Sequence, residues 1–157
     1  MNTLIFGASG YVGGHLASSL KKNGHHVTGF YRNEPDFTDR SLDIFDKVFT
    51  GHIQDTNLLD QVLANNFDSI IYCISLNHHD SQTNIHHAMD VNVNPIIQVL
   101  ERIKGKNQKF IYFSTMQVYG KYKKGDIINE EYPTNPVNNY GLTHLLCENI
   151  LNLYKNT

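Results

Sequence analysis

The 157-residue sequence has only two cysteines, Cys73 and Cys147, far apart and without CxxC or zinc-finger spacing. That excludes a disulfide scaffold and sets the expectation of two reduced thiols. An excess of charge is lacking too: 13 basic and 15 acidic residues leave a formal net charge of -2. Nothing in that balance recruits nucleic acid or an anionic membrane surface. No run approaches the ~20 apolar residues of a membrane span. Met1–Gly14 is a short apolar stretch running straight into glycines, not the basic start and apolar core of a signal peptide. A cytoplasmic protein is expected. No repeat, low-complexity tract or linker-like boundary appears, so residues 1–157 read as a single domain.

What is present is an ordinary globular composition, 40% hydrophobic and 18% charged. Its periodicity alternates short apolar runs with longer amphipathic stretches. Strands are expected at Thr3–Phe6, His26–Tyr31, Lys47–Phe49, Ser69–Ile74 and Lys109–Ser114. Helices are expected at Tyr11–Asn23, Thr56–Asn65, Asn84–Lys104 and Asn139–Tyr154. Asn23-Gly24 ends the first helix, because glycine takes the left-handed conformation at a C-cap. Pro95 kinks or breaks the long helix. Arg32–Arg40, Ser75–Asn84 and Lys121–Asn138 read as loops, with the basic run Lys121–Lys124 a solvated one. Strand–helix alternation implies an α/β fold, a doubly wound parallel sheet of Rossmann type. Right-handed crossovers give five strands in the order 3-2-1-4-5, with helices on both faces.

The first turn carries the chemistry. Gly7, Gly10 and Gly13 fall at GxxGxxG spacing between a strand and a helix, the context a dinucleotide site requires. Gly7 permits the tight turn, Gly10 lets a pyrophosphate approach the backbone, and Gly13 lets helix and strand pack closely. The N–H groups of Tyr11 and Val12 at the helix start then offer partial positive charge to phosphates. Sites that prefer NAD usually carry an acidic residue after the second strand. Here the stretch is Phe30-Tyr31-Arg32-Asn33, and Arg32 suits a 2′-phosphate. NADP(H) is therefore favoured over NAD(H), although a surface arginine at a strand end is the plainer reading of that side chain.

Three further segments carry a family resemblance. They are Phe113-Ser114-Thr115-Met116-Gln117-Val118-Tyr119-Gly120, the stretch from Asn135 to His144, and Asp90-Val91-Asn92-Val93. With the glycine turn they resemble, in order and spacing, the extended short-chain dehydrogenase/reductase family. The likeness is to its nucleotide-sugar epimerases, dehydratases and reductases. It implies Tyr140 as the acid/base at a sugar carbinol or ketone and Thr115 as the hydrogen-bond partner of the reacting oxygen. His144 stands where that family has the lysine that binds the nicotinamide ribose and lowers the tyrosine's pKa. The resemblance further implies cofactor contacts from His52, Ile53, Cys73, Ile74, Ser75, Asn92 and Ser114.

Several departures from that pattern are visible. Histidine has an ordinary pKa near 6.5, so His144 offers less positive charge at neutral pH than a lysine. Met116 and Gln117 replace the acid and base of the dehydratases, which argues against water elimination. His52 replaces an aspartate directed at adenine. Ile74 and Ser75 replace small residues, usually alanine, and Ile74 crowds the cofactor. The family also continues past the last helix into a region that builds the substrate pocket, so a shortened chain is expected.

The histidine pairs at 25–26, 78–79 and 86–87 fit no metal signature, and no metal is expected. Around the crevice loop, His78–His87 suits a substrate contact better. Ile96, Ile97, Val99, Leu100 and Ile103, with Leu142, Leu145, Leu146 and Ile150, form helical stripes that read as core. The resemblance adds a homodimer interface through the helices at 84–104 and 139–154. Two functional readings stand. One is an NAD(P)-dependent nucleotide-sugar oxidoreductase or epimerase (a 4-keto reductase or an epimerase), present as its cofactor-binding part. The other is a catalytically degenerate nucleotide-binding or scaffold module completed by a partner chain.

Overall fold

The computed structural model describes residues 1–33 and 44–155. Five parallel strands, β1 (Asn2–Phe6), β2 (His26–Tyr31), β3 (Lys47–Thr50), β4 (Ser69–Tyr72) and β5 (Lys109–Tyr112), form one sheet in the order 3-2-1-4-5. In register, Leu4 lies beside Thr28 on one flank and Ile70 on the other. The central strands are buried on both faces, which is why their sequences are continuous apolar runs and not alternating ones. Helices α1 (Tyr11–Lys22) and α2 (Thr56–Leu63) belong to the same compact unit, Met1–Ile74 with Gly105–Phe113.

One face of this sheet packs Ile5, Val27, Tyr31 and Ile71 against Ala8 and, from α1, Ala17, with Leu16 and Leu20 at the edge. Gly13 and Gly14 are buried on the same helix. The aromatic residues Phe6, Phe30 and Tyr72 pack together, with ring centroids 5.1 Å apart for Phe6–Phe30 and 5.5 Å for Phe6–Tyr72. Asn23 closes α1 and Gly24 follows at φ 77°, the left-handed cap expected of Asn-Gly. Asp55 caps α2 by accepting the N–H groups of Asn57 and Leu58.

The second compact unit comprises Ser75–Lys104 and Ser114–Thr157. Here the sequence reading needs correction. Ser75–Asn84 is not all loop, because α3 (His78–Thr83) lies within it. Asn77 caps that helix by accepting the Asp80 N–H, which explains how six polar residues fold helically. The expected helix at Asn84–Lys104 is three segments: α4 (Ile85–Ala88), a π-helical turn (Met89–Val93) and α5 (Asn94–Ile103). Pro95 sits in the first turn of α5. It has no N–H to continue an upstream helical ladder, so the break falls just before it. Thr115 opens a 3₁₀ turn (Met116–Tyr119), and α6 (Asn139–Tyr154) is the last helix, as expected.

The Lys121–Asn138 stretch has no regular structure. The loop expected at Arg32–Arg40 lies outside the described residues from position 34 onward. Among the described residues no helix is long and apolar enough to cross a membrane. Nor do any three His, Cys, Asp or Glu residues come together to hold a metal ion. Neither Cys73 nor Cys147 is in a disulfide among the described residues.

Candidate functional site

The glycine turn is built by the backbone of two strands. Gly7 and Ala8 both donate their N–H groups to the Phe30 carbonyl, at 2.9 and 3.1 Å, so the end of β2 anchors the exit of β1. Gly7 then turns at φ 82°, a left-handed conformation that disfavours any other residue. A Cβ on Gly13 would lie 2.3 Å from the Gly7 carbonyl oxygen, and one on Gly10 would lie 3.3 Å from it. Three glycines thus serve one carbonyl.

No side chain caps α1 at Gly10. The first N–H groups of a helix have no intrahelical partner. Tyr11 is 78% and Val12 42% exposed, so that end of the helix is open. A bare, uncapped helix start with no Cβ in front of it fits the pyrophosphate of a dinucleotide.

Around the turn, Cys73 and Ile74 come against Gly7. A Cβ there would be 3.1 Å from the Cys73 carbonyl carbon and 3.2 Å from Ile74 Cγ1. Burial pushes the Cys73 thiol up to about 11, which keeps it protonated and unreactive. Arg32 is exposed just past β2. His52 is exposed and its carbonyl accepts the Asp55 N–H, while Ile53 is buried.

In the second unit the other candidates converge on α6. Tyr140 stands in its first turn, half-buried, with His144 one turn later. Their ring centroids are 4.4 Å apart, and His78 approaches the tyrosine ring at 6.4 Å. His144 is only 2% exposed, and desolvation pushes its pKa down to about 4. The ring is therefore neutral throughout the physiological range. The partial charge that the sequence left open at pH 7 is absent.

Asn92 lies at the centre of the polar network. Its Oδ1 accepts the Leu76 N–H at 2.7 Å and its Nδ2 donates to Thr143 Oγ1 at 3.0 Å and Ser81 Oγ at 3.4 Å. Ser75 Oγ adds a 3.5 Å contact to the same Oδ1, and Cys147 Sγ donates to the Asn92 carbonyl. Both ends of the amide are occupied within the protein. Asn92 holds the 75–77 segment to α6 and has little left for a cofactor.

Thr115 Oγ1 accepts the Gln117 N–H at 3.3 Å, which orients the hydroxyl and leaves its proton free to be given. Ser114 donates instead to the Glu148 carboxylate.

Sequence reasoning missed the residues that seat Tyr140. Asn138 caps α6 by accepting the Gly141 N–H at 2.8 Å and donates to Gln117 Oε1 at 2.8 Å. A Cβ on Gly141 would fall 2.4 Å from the Gln117 carbonyl oxygen. The signal was the glycine following Tyr140. The stripe reading of α6 also changes. Its buried line is Gly141, Thr143, His144 and Cys147, whereas Leu142 is 47% exposed and Leu145, Leu146 and Ile150 are half-buried. On α5, Ile96, Val99, Leu100 and Ile103 are buried as expected.

This chain belongs to the NAD dependent epimerase/dehydratase family, whose pattern it matches over residues 3–157. It is 30% identical to a UDP-glucose 4-epimerase of Lactobacillus helveticus over 158 residues, covering 96% of this chain and 46% of the relative. It is also 30% identical, over 156 residues, to an N-acetyl-alpha-D-glucosaminyl-diphospho-ditrans,octacis-undecaprenol 4-epimerase of Escherichia coli O157:H7, covering 99% of this chain and 44% of the relative.

Among solved structures, UDP-glucose 4-epimerase from Bifidobacterium longum in complex with NAD+ and UDP superimposes with a TM-score of 0.86 at 28% identity, over 97% of this chain and 48% of that one. UDP-glucuronic acid 4-epimerase from Bacillus cereus in complex with NAD gives 0.84 at 26%, over 100% and 53%. The chain spans about half the length of the relatives it matches.

Proposed function

We propose that residues 1–157 form the dinucleotide-binding domain of an NAD(P)-dependent nucleotide-sugar oxidoreductase acting at a sugar carbon. Epimerisation at C4 and 4-keto reduction are the two reactions in view. The relatives are 4-epimerases, which favours epimerisation. Gly7, Gly10 and Gly13, with the N–H groups of Tyr11 and Val12, would hold the pyrophosphate. The bound nicotinamide would supply hydride transfer. Tyr140 would exchange the proton of the sugar oxygen and Thr115 would donate a hydrogen bond to it.

The observation that carries the reading is the seat of Tyr140. Gly141 and Asn138 lock the start of α6 onto Gln117, in the turn that Thr115 opens. Arg32, exposed past β2 and followed by asparagine, supports NADP(H) over NAD(H), although the Bifidobacterium longum and Bacillus cereus structures hold NAD. The half-exposed Leu142, with Leu145, Leu146 and Ile150, supports a homodimer through α5 and α6. A cytoplasmic location accords with this activity.

The second reading, a degenerate binding or scaffold module, is favoured by one observation. His144 is buried and neutral where the resembled family has a charged lysine.

Calorimetric titration with NADPH, NADP+, NADH and NAD+ tests both. The first reading expects binding that favours the phosphorylated pair and weakens about tenfold for that pair in Arg32→Ala. Absence of binding to all four overturns it. Binding without turnover on any nucleotide sugar, unchanged by His144→Lys, selects the second.

A further inference from the structure

The sequence holds a single asparagine followed by glycine, Asn23-Gly24, and both residues are exposed where α1 hands over to β2. That pair has its own chemistry. A backbone nitrogen can attack the side-chain amide carbon of the residue before it, and glycine has no Cβ to obstruct the approach. The Gly24 nitrogen gives up its proton to base and bonds to Asn23 Cγ, and the Cγ–Nδ2 bond breaks with loss of ammonia. Water then opens the cyclic imide at one carbonyl or the other, leaving aspartate or isoaspartate. No oxidant, reductant or cofactor enters.

The fold holds both reacting groups. Asn23 is the C-cap of α1, and the residues after it close a Schellman motif. The Gly24 N–H donates to the Lys21 carbonyl at 3.0 Å and the His25 N–H to the Leu20 carbonyl at 3.1 Å. The Asn23 side chain is engaged as well, its Nδ2 donating to the Ser19 carbonyl at 2.8 Å. The nucleophile's proton and the leaving group are thus each bound to a carbonyl near the end of α1. Attack requires that turn to open, and fraying ends are among the least costly openings of a native protein.

We propose that Asn23 is a deamidation site gated by the Schellman cap, closed while the last turn of α1 is formed and reactive when that turn frays. The isoaspartyl product does not restore the gate. It routes the main chain through Cβ and Cγ, so the two cap bonds no longer fit their carbonyls. It also sets a carboxylate against the negative end of the helix dipole. The damage falls at the start of β2, where His26 pairs with Asn2. The glycine turn is anchored at the other end of that strand, by the Phe30 carbonyl.

The test follows the 157-residue chain at pH 8, folded and in urea, by peptide mapping and by labelling with a protein-isoaspartate methyltransferase. In urea Asn23 is expected to be the first asparagine to react, with isoaspartate appearing between residues 23 and 24. The folded chain is expected to react there at least about tenfold more slowly. Lys22→Gly loosens the last turn from an exposed position outside the reacting pair. It should raise the folded rate about fivefold, the equivalent of ~1 kcal/mol of helix propensity, and leave the rate in urea unchanged. Equal folded and unfolded rates overturn the proposal, as does a folded rate indifferent to Lys22→Gly. Another asparagine reacting before Asn23 in urea overturns it too.

Discussion

The Tyr140 and His144 rings lie one helical turn apart on α6, with centroids separated by 4.4 Å and planes tilted by 58°. Burial, not a charged neighbour, sets the state of the imidazole in this pair. That has a consequence for pH. In the unfolded chain a histidine takes up its proton near pH 6.5, whereas folded His144 does so only near 4. Between these values the unfolded state binds more protons, so stability is full above about pH 6.5 and is lost as the pH falls toward 4. Urea unfolding at pH 7.5 and 4.5 should show a loss of about 2 kcal/mol that His144→Gln does not suffer. Equal losses in both proteins would refute the assignment.

The glycine turn yields a contrast between two positions. A Cβ on Gly13 would overlap the Gly7 carbonyl oxygen at 2.3 Å, while one on Gly24 meets nothing within 4 Å. Gly13→Ala should cost about 2–3 kcal/mol through backbone overpacking and weaken nucleotide binding at least about tenfold, a loss of ~1.4 kcal/mol. Gly24→Ala should cost about 1 kcal/mol from its left-handed backbone and leave binding intact. Calorimetric titration beside thermal melts separates the two effects.

Asn92 is 1% exposed and its amide bridges the 75–77 segment, α3 and α6. Asn92→Leu removes these bonds and strands the Leu76 N–H. Denaturant unfolding should show a loss of about 2–4 kcal/mol. A loss under about 0.5 kcal/mol, the level of an ordinary surface substitution, would mean the network is incidental.

Gly141→Ala should displace the start of α6, because the new methyl carbon would sit 2.4 Å from the Gln117 carbonyl oxygen. We expect about 2 kcal/mol of destabilisation, accompanied by a changed chemical shift for the Tyr140 ring. Unchanged Tyr140 shifts in a folded Gly141→Ala protein would show that this contact does not seat the tyrosine.

Much of this was legible because the physical rules involved are local. The apolar runs of β1 and β4 declare strands covered on both faces. Asn23-Gly24 declares a helix end. The limits of α6 fall where the pattern places them, since Asn138 is a good cap. What escaped reading lacks an apolar period, admits more than one local solution, or depends on a neighbour distant in sequence. The helix at His78–Thr83 has no apolar period and exists through the Asn77 cap. The π turn before Pro95 is a choice among several ways to relieve one missing N–H. The burial of His144 was hidden because its polar partners come from Ser75, 69 residues away. At the glycine turn, three residues at fixed spacing already carried the requirement for a bare backbone.

The stretch between the Thr115 turn and α6 has its two ends tied together. Asn135 donates its N–H to the Val118 carbonyl at 3.0 Å, and Gly120, at φ 67°, leaves room for the Asn135 carbonyl where a Cβ would lie 1.8 Å away. Residues 121–134 thus leave and return through one fixed gate. Closing a longer loop through the same gate costs only about 0.6 kcal/mol for each doubling of length. The segment is therefore expected to accept an inserted peptide between its ends, provided Tyr132 keeps its packing on Tyr119, while Thr115 and Tyr140 stay where the gate holds them.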